Sequence, residues 1–246
     1  MMNRIIYYLN RLKQEEFRFY LASRIFRSLV PSYYLTWPEL EWFHQEDIKE
    51  VLERFEELKD FNAHRRFALQ QLLRLTKNVP GDTAECGVYK GLSSYIILKQ
   101  NQYSSYQRVH HIFDSFEGLS QPAQVDGTHW KKGDLACSLD IVKQNLQDFS
   151  SVVYHKGWIP EKFHEVKENT FAFVHIDVDL YEPTYCSISF FYERLNPGGI
   201  LVCDDYGFLT CPGATKAIDD YLKDKQEKMV YLPGGGGFFI KDVPTN

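Results

Sequence analysis

Long hydrophobic runs are missing from this 246-residue chain. No stretch reaches the roughly 20 apolar residues that a membrane-spanning helix needs. The opening Met1-Met2-Asn3-Arg4-Ile5-Ile6 meets Arg11, Lys13, Glu15 and Glu16 too early to form the apolar heart of a signal peptide. Cysteine is sparse: Cys86, Cys137, Cys186, Cys203 and Cys211 are an odd number with no CxxC pair, and Cys86 and Cys203 sit in apolar, strand-like surroundings. A disulfide framework or a zinc site is therefore not expected, and a cytoplasmic, reducing location is. Excess positive charge is absent too, with 28 Lys and Arg against 33 Asp and Glu, which excludes nucleic acid as the expected partner. No GxGxxG fingerprint follows any strand-like segment, which disfavours a nicotinamide-dependent oxidoreductase. No Ser/Gly-rich linker divides the chain.

What is present describes one α/β domain with an appendage. Hydrophobic residues make up 44% and charged residues 25%, enough to bury a sizeable core. Apolar periodicity of three and four runs through Ile5, Tyr8, Leu9 and Leu12, then through Phe19, Leu21, Ile25, Phe26 and Leu29. Such a basic amphipathic helix could touch a membrane surface or a second subunit, but packing on its own domain is the expectation. Pro31-Ser32-Tyr33-Tyr34 and Trp37-Pro38 interrupt the pattern. A second helix is expected from Trp42 to Leu58, with Ile48, Val51, Leu52, Phe55 and Leu58 inward and Glu50, Glu53, Glu56, Glu57 and Lys59 in solvent, and a third from Ala63 to Lys77. Residues 1–78 thus read as a helical extension and residues 79–246 as the main domain.

The main domain is organised around Phe171 to Gly207. Phe171-Ala172-Phe173-Val174-His175-Ile176 has the length of a buried strand and ends abruptly in Asp177-Val178-Asp179. Ile188, Phe191, Tyr192 and Leu195 follow at helical spacing, Asn196-Pro197-Gly198-Gly199 is expected to stop the helix, and Ile200-Leu201-Val202-Cys203 starts a strand that ends in Asp204-Asp205. A right-handed strand–helix–strand crossover makes the two strands parallel, so the acidic pairs meet at one edge of the sheet. Carboxylates gathered there repel one another unless a cation compensates, which points to a divalent, oxygen-liganded metal in an active site.

The remaining motifs fit the same edge. Thr83 to Val88 reads as the first strand, and Glu85-x-Gly87-x-x-x-Gly91 supplies glycines where a ligand can approach the backbone. Val109 to Phe113 is the second strand, and the acid after it, Asp114, stands where ribose hydroxyls are commonly bound. Residues 120–135 read as a long loop carrying His129 and Trp130, either a lid over an acceptor or surface packing. A helix from Ser138 to Phe149, a strand Val152 to His155, a helix over 213–223, and a terminal hairpin of Met229–Leu232 with Phe238–Ile240 complete the pattern. That hairpin breaks a fully parallel Rossmann arrangement. Asp179 reads as a turn cap, and His175 as a satisfied core histidine.

These motifs carry a resemblance. Glu85-Cys86-Gly87-Val88-Tyr89-Lys90-Gly91, Asp114-Ser115-Phe116-Glu117-Gly118-Leu119, His175 through Tyr181, and Pro197-Gly198-Gly199 with Asp204-Asp205-Tyr206-Gly207 resemble, in this order, the macrocin O-methyltransferase (TylF-type) family. The resemblance covers about Val79 to Gly207, and more loosely the terminal hairpin. It implies a class I, Rossmann-like methyltransferase fold with a seven-stranded sheet whose last strand is antiparallel. It also implies S-adenosylmethionine as donor, magnesium as cofactor, and a hydroxyl of a sugar or glycosylated small molecule as acceptor.

Carried onto this chain, the resemblance implies metal ligands at Asp177, Asp204 and Asp205, with Asp177 also the base. Glu85, Gly87, Tyr89 and Gly91 would hold the amino-acid end of the donor, Asp114 and Ser115 its ribose, and Ser138 and Trp158 would border the adenine or sulfonium region. Two features depart from the family: Phe238-Phe239 where a tryptophan is common, and the run Gly234 to Gly237. The helical extension would contribute to the acceptor side or to homo-oligomer contacts. A non-catalytic binding module on the same sheet is the rival class; it would have been favoured by loss of Asp177, Asp204 or Asp205, and none is lost.

Overall fold

The computed structural model describes residues 11–29, 40–57 and 62–242. The positions Ile5, Tyr8 and Leu9, both proline breaks before Glu39, and Leu58 and Lys59 lie outside these segments. The chain forms two compact units, Met1–Gln45 and Glu46–Asn246. In the first, α1 (Glu15–Leu29) buries Phe17 and leaves Leu21, Ile25 and Leu29 exposed. A single 3₁₀ turn, Glu41–His44, follows. Among the described residues no helix is long and apolar enough to cross a membrane.

The second unit joins two of the extension's helices to the sheet. The helix expected from Trp42 is broken at Gln45, whose backbone is extended (φ −71°, ψ 124°), so α2 spans only Glu46–Arg54. Its opening acids, Glu46 and Asp47, suit a helix N-terminus, and Ile48, Val51 and Leu52 are buried as their spacing requires. α3 (Ala63–Leu75) stops short of Lys77 because the Thr76 hydroxyl turns back onto the Leu73 carbonyl at 2.9 Å.

Seven strands then form one sheet: β1 (Asp82–Cys86), β2 (His110–Asp114), β3 (Val152–Lys156), β4 (Phe171–Ile176), β5 (Leu195–Cys203), β6 (Val230–Tyr231) and β7 (Gly237–Ile240), in the order β3-β2-β1-β4-β5-β7-β6. Neighbours are parallel except around β7, which is antiparallel to both β5 and β6. The expected seven-stranded class I sheet is therefore observed. Its helices are α4 (Leu92–Asn101), α5 (Leu139–Asn145), α6 (Tyr181–Tyr192) and α7 (Pro212–Leu222).

Several boundaries differ from the sequence reading for physical reasons. β1 ends at Cys86, because Gly87 turns to φ 81°. α6 starts before Pro183, which occupies the first turn where a missing N–H costs nothing. Asn196 to Gly199, expected to end the helix, already belong to β5: the Asn196 side chain donates to Pro80 O at 2.7 Å and Thr170 Oγ1 at 3.0 Å, and Gly198 N–H pairs with Lys241 O. The register shift between Phe171 and Phe173 absorbs this irregular start.

The core lies where α6 covers β4. Phe113, Phe171, Phe173 and Phe191 are fully buried, with Phe171 and Phe191 edge to face at 5.0 Å. Each such ring contributes about 1.5–3 kcal/mol by leaving water. This packing fixes β1, β2, β4 and β5 with their carboxyl ends on one edge.

Candidate active site

Close backbone approach starts the site. Gly87 N–H pairs with Phe113 O and Asp177 N–H with Cys86 O, both at 2.9 Å, which pins the loop after β1 against those after β2 and β4. A Cβ on Gly87 would lie 1.9 Å from the Asp177 carbonyl oxygen, so no side chain fits there without parting the strands. Beside this contact opens a cavity of about 620 Å³. Of the residues singled out from sequence, Gly87, Tyr89, Asp114, Ser115, Trp158, Asp177 and Asp205 line it. Glu85 and Tyr89 edge an adjoining cavity of about 230 Å³, whereas Gly91, Ser138 and Asp204 line neither.

On the β1–β2 side, charge is held by backbone. Asp114 accepts the N–H groups of Val88 at 2.8 Å and Phe116 at 2.6 Å, so it braces the first-strand loop as well as facing the cavity. Burial nonetheless leaves its carboxyl above the usual aspartate range. The Ser115 hydroxyl accepts from Glu117 N–H and donates to Gly118 O. Gly91, at φ 93°, caps the N-terminus of α4, and Ser138 caps α5 by accepting the Ile141 N–H at 3.4 Å.

Glu85 belongs to a buried polar network. Its side chain is 1% exposed; Ser94 donates to one carboxylate oxygen, and His175 Nδ1 lies 2.9 Å from the other. His110 bridges Ser94 and Thr83 at 3.1 and 3.0 Å. Burial would raise the Glu85 carboxyl, but hydrogen bonds from His110 and His175 and the His175 charge outweigh it and hold it at about 2. His175 is pushed up to about 10: burial opposes its charge, but Asp204 and Glu85 flank it. It is not the satisfied core histidine expected from sequence, because among the described residues its buried Nε2 makes no hydrogen bond and lies 3.7 Å from Asp204 Oδ1.

The β4–β5 side gathers acids. Asp177 and Asp204 offer oxygens in one cluster with His175 Nε2, while Asp205 falls with Asp179 and Cys211 in a second. Among the described residues no hydrogen bond reaches the Asp177 carboxylate, and burial together with Asp204 pushes it up to about 7. Asp205 is raised well above the carboxylate range by burial and by Asp179 and Asp177, and accepts the Asp179 N–H at 2.8 Å. Asp204 runs the other way: Arg65, His175 and Arg66 outweigh its burial and keep it ionised. The first cluster offers two carboxylate oxygens and an imidazole nitrogen and the second two carboxylates and a thiol; the hard carboxylate oxygens are the donors that suit magnesium.

Arg65 and Arg66 are the residues that sequence reading missed. Both rise from the first turn of α3, a turn with no acid, where cations oppose the helix dipole. That misplacement was the available signal of an acidic partner elsewhere. In the loop 120–135, read as either a lid or surface packing, His129 and Trp130 line the large cavity, and Trp130 Nε1 donates to Cys211 Sγ at 3.3 Å. Asp126 fastens this loop by accepting the N–H groups of Ala123 and Tyr181, each at 2.7 Å. The glycine run also finds its reason: a Cβ on Gly235 would meet the Phe208 ring at 2.2 Å, and one on Gly234 would meet His64 at 2.8 Å.

A seven-stranded sheet of this order, with glycines after β1 and acids after β2, β4 and β5, defines a class I methyltransferase fold. The macrocin-O-methyltransferase (TylF) family matches residues 63–231, and the chain belongs to it. The expected class of enzyme, an S-adenosylmethionine-dependent O-methyltransferase, is the class of that family. The chain is 27% identical over 183 residues to demethyldecarbamoylnovobiocin O-methyltransferase of Streptomyces niveus, covering 65% of this chain and 68% of that one. It is 30% identical over 159 residues to 8-demethyl-8-(2,3-dimethoxy-alpha-L-rhamnosyl)-tetracenomycin-C 4'-O-methyltransferase of Streptomyces olivaceus, covering 60% of each. Among solved structures, a calicheamicin methyltransferase superposes with a TM-score of 0.65 at 20% identity, over 86% of this chain and 96% of that one.

Proposed function

We propose that the protein methylates a hydroxyl of a sugar or glycosylated small molecule, with Asp177 as the base and a divalent cation, magnesium, held by Asp177, Asp204 and Asp205. The observation that carries the reading is the Asp177 carboxylate: unbonded among the described residues, on the cavity wall, and in one cluster with Asp204. The sugar acceptor is supported by relatives such as the rhamnosyl-tetracenomycin enzyme.

The donor's amino-acid end would lie against Gly87, Tyr89 and the Gly91-capped start of α4, with Glu85 positioning this floor from beneath through Ser94 and His175. Asp114 and Ser115 would meet the ribose, and Trp158 would border the adenine. Ser138 is left as the cap of α5. A divalent ion would acidify a sugar hydroxyl as it acidifies water, from a pKa of about 15.7 toward about 7 in the best cases. Asp177 would take the hydroxyl proton, and the donor, held in line with that oxygen, would supply the methyl group and leave as S-adenosylhomocysteine.

The test uses metal-stripped protein, labelled donor and a panel of glycosides. Turnover disappears in chelator and returns with magnesium, while S-adenosylhomocysteine affinity by calorimetry stays unchanged. Full turnover in excess chelator would remove the metal and leave Asp177 as a metal-free base. Donor binding with no turnover on any glycoside would favour the binding module.

A further inference from the structure

Of the three proposed ligands, Asp204 alone makes ion pairs with arginine among the described residues. Arg65 Nη2 donates to Asp204 Oδ2 and, at 3.1 Å, to the Asp204 carbonyl; Arg66 Nη1 reaches the same Oδ2 at 3.3 Å. The two arginines are anchored unequally. Arg66 is tied elsewhere, Nε to Glu57 Oε2 and Nη1 to Ser93 Oγ, each at 3.1 Å. Among the described residues Arg65 has one further side-chain partner, Asn62 Oδ1 at 3.1 Å, and its buried Nε has no hydrogen-bond partner. Its guanidinium lies 4.8 Å over the Phe208 ring and on the wall of the large cavity, which leaves it room to move and a ring to rest on.

We propose that Arg65 is an internal competitor for the divalent cation: it neutralises Asp204 while no cation is bound, and must release Asp204 Oδ2 when one binds. The inference rests on the metal reading above. A guanidinium cannot relieve the repulsion by losing its proton, so it relieves it by moving. Of the two arginines, Arg65 is the one free to do so. Cation affinity is then set by an arginine of α3 as well as by the acids after β4 and β5.

The experiment titrates magnesium chloride into metal-stripped full-length protein by calorimetry, for wild type, Arg65→Gln and Arg65→Lys. Removing a charge-assisted competitor tightens magnesium binding by about tenfold or more in Arg65→Gln. The same variant melts lower than wild type in chelator and gains more from added magnesium. Equal or weaker magnesium affinity in Arg65→Gln, with clear binding to wild type, overturns the competitor while sparing the metal site. Absence of binding to every protein overturns both. Should Arg65→Gln fail to fold, Arg65→Lys carries the test: it keeps the charge but loses the second contact to the Asp204 carbonyl, and its affinity lies above that of wild type. Affinity at or below wild type would reject the proposal.

Discussion

Two halves of one sheet edge handle negative charge by opposite means. At the end of β2, Asp114 is held by N–H groups of Val88 and Phe116, and the glycine at 87 lets two loops touch. After β4 and β5, Asp177, Asp179, Asp204 and Asp205 crowd together, and among the described residues only Asp204 is met by arginine. Backbone dipoles hold one carboxylate without a mobile counter-charge, so that half is preformed. The other half carries surplus negative charge, and a surplus of that kind can bind a cation or take a proton. The first half suits holding a cofactor and the second suits chemistry.

Breaking the second half should cost most. Asp177→Asn, which removes both the proposed base and a proposed ligand, is expected to lower the rate of methyl transfer by about 100- to 10,000-fold with donor affinity intact, read from labelled-methyl turnover beside calorimetry. Retained turnover would move the base elsewhere.

Asp114→Ala attacks the first half. It removes the proposed ribose contact and frees Val88 N–H, so donor binding should weaken by about tenfold or more and stability fall by about 1–3 kcal/mol, measured by calorimetry and denaturant titration. Unchanged affinity would strip Asp114 of its donor role and leave it a brace.

The network joining the halves gives a pH signature. The Glu85 carboxyl is depressed to about 2, so its contribution is complete above its ordinary range near 4.5 and fades as pH falls toward 2. His175 is raised to about 10, so its contribution is complete below 6.5 and is lost as pH rises through 10. Stability to urea should therefore be broadest between these limits, and Glu85→Gln should bring the alkaline decline to lower pH. A profile identical to wild type would dismiss the pair.

The smallest effect belongs to Ser138→Ala. Loss of the cap costs about 0.5–1 kcal/mol, with donor affinity unchanged. A weakened donor would restore Ser138 to the binding site.

The fold was legible because apolar runs such as Phe171–Ile176 end directly in acids, and because Asp114 and Asp204-Asp205 close other strands in the same way. Helix starts were less so: Gly91 and Pro183 act through backbone geometry, which residue spacing does not reveal. Part of the cavity's wall was named in advance, Gly87, Asp114, Asp177 and Asp205 among it, since these residues lie at strand ends. Arg65 was not, because its partner Asp204 is 139 residues away and the helix that carries it reads as an ordinary amphipathic segment. His175 was misjudged for a similar reason. Its apolar neighbours in sequence, Val174 and Ile176, conceal that the strands on either side bring it Glu85 and Asp204.

The glycine turn before β7 has a consequence for the opposite end of the chain. With no β-carbon at 235, the hairpin tip admits the Phe208 ring beneath Arg65. The tip itself has no charge, acid or base, yet it determines how much space that arginine's platform occupies. It works as a spacer: thickening it by one methyl group would press the ring toward α3 and alter how the arginine sits over Asp204, without touching any group that reacts.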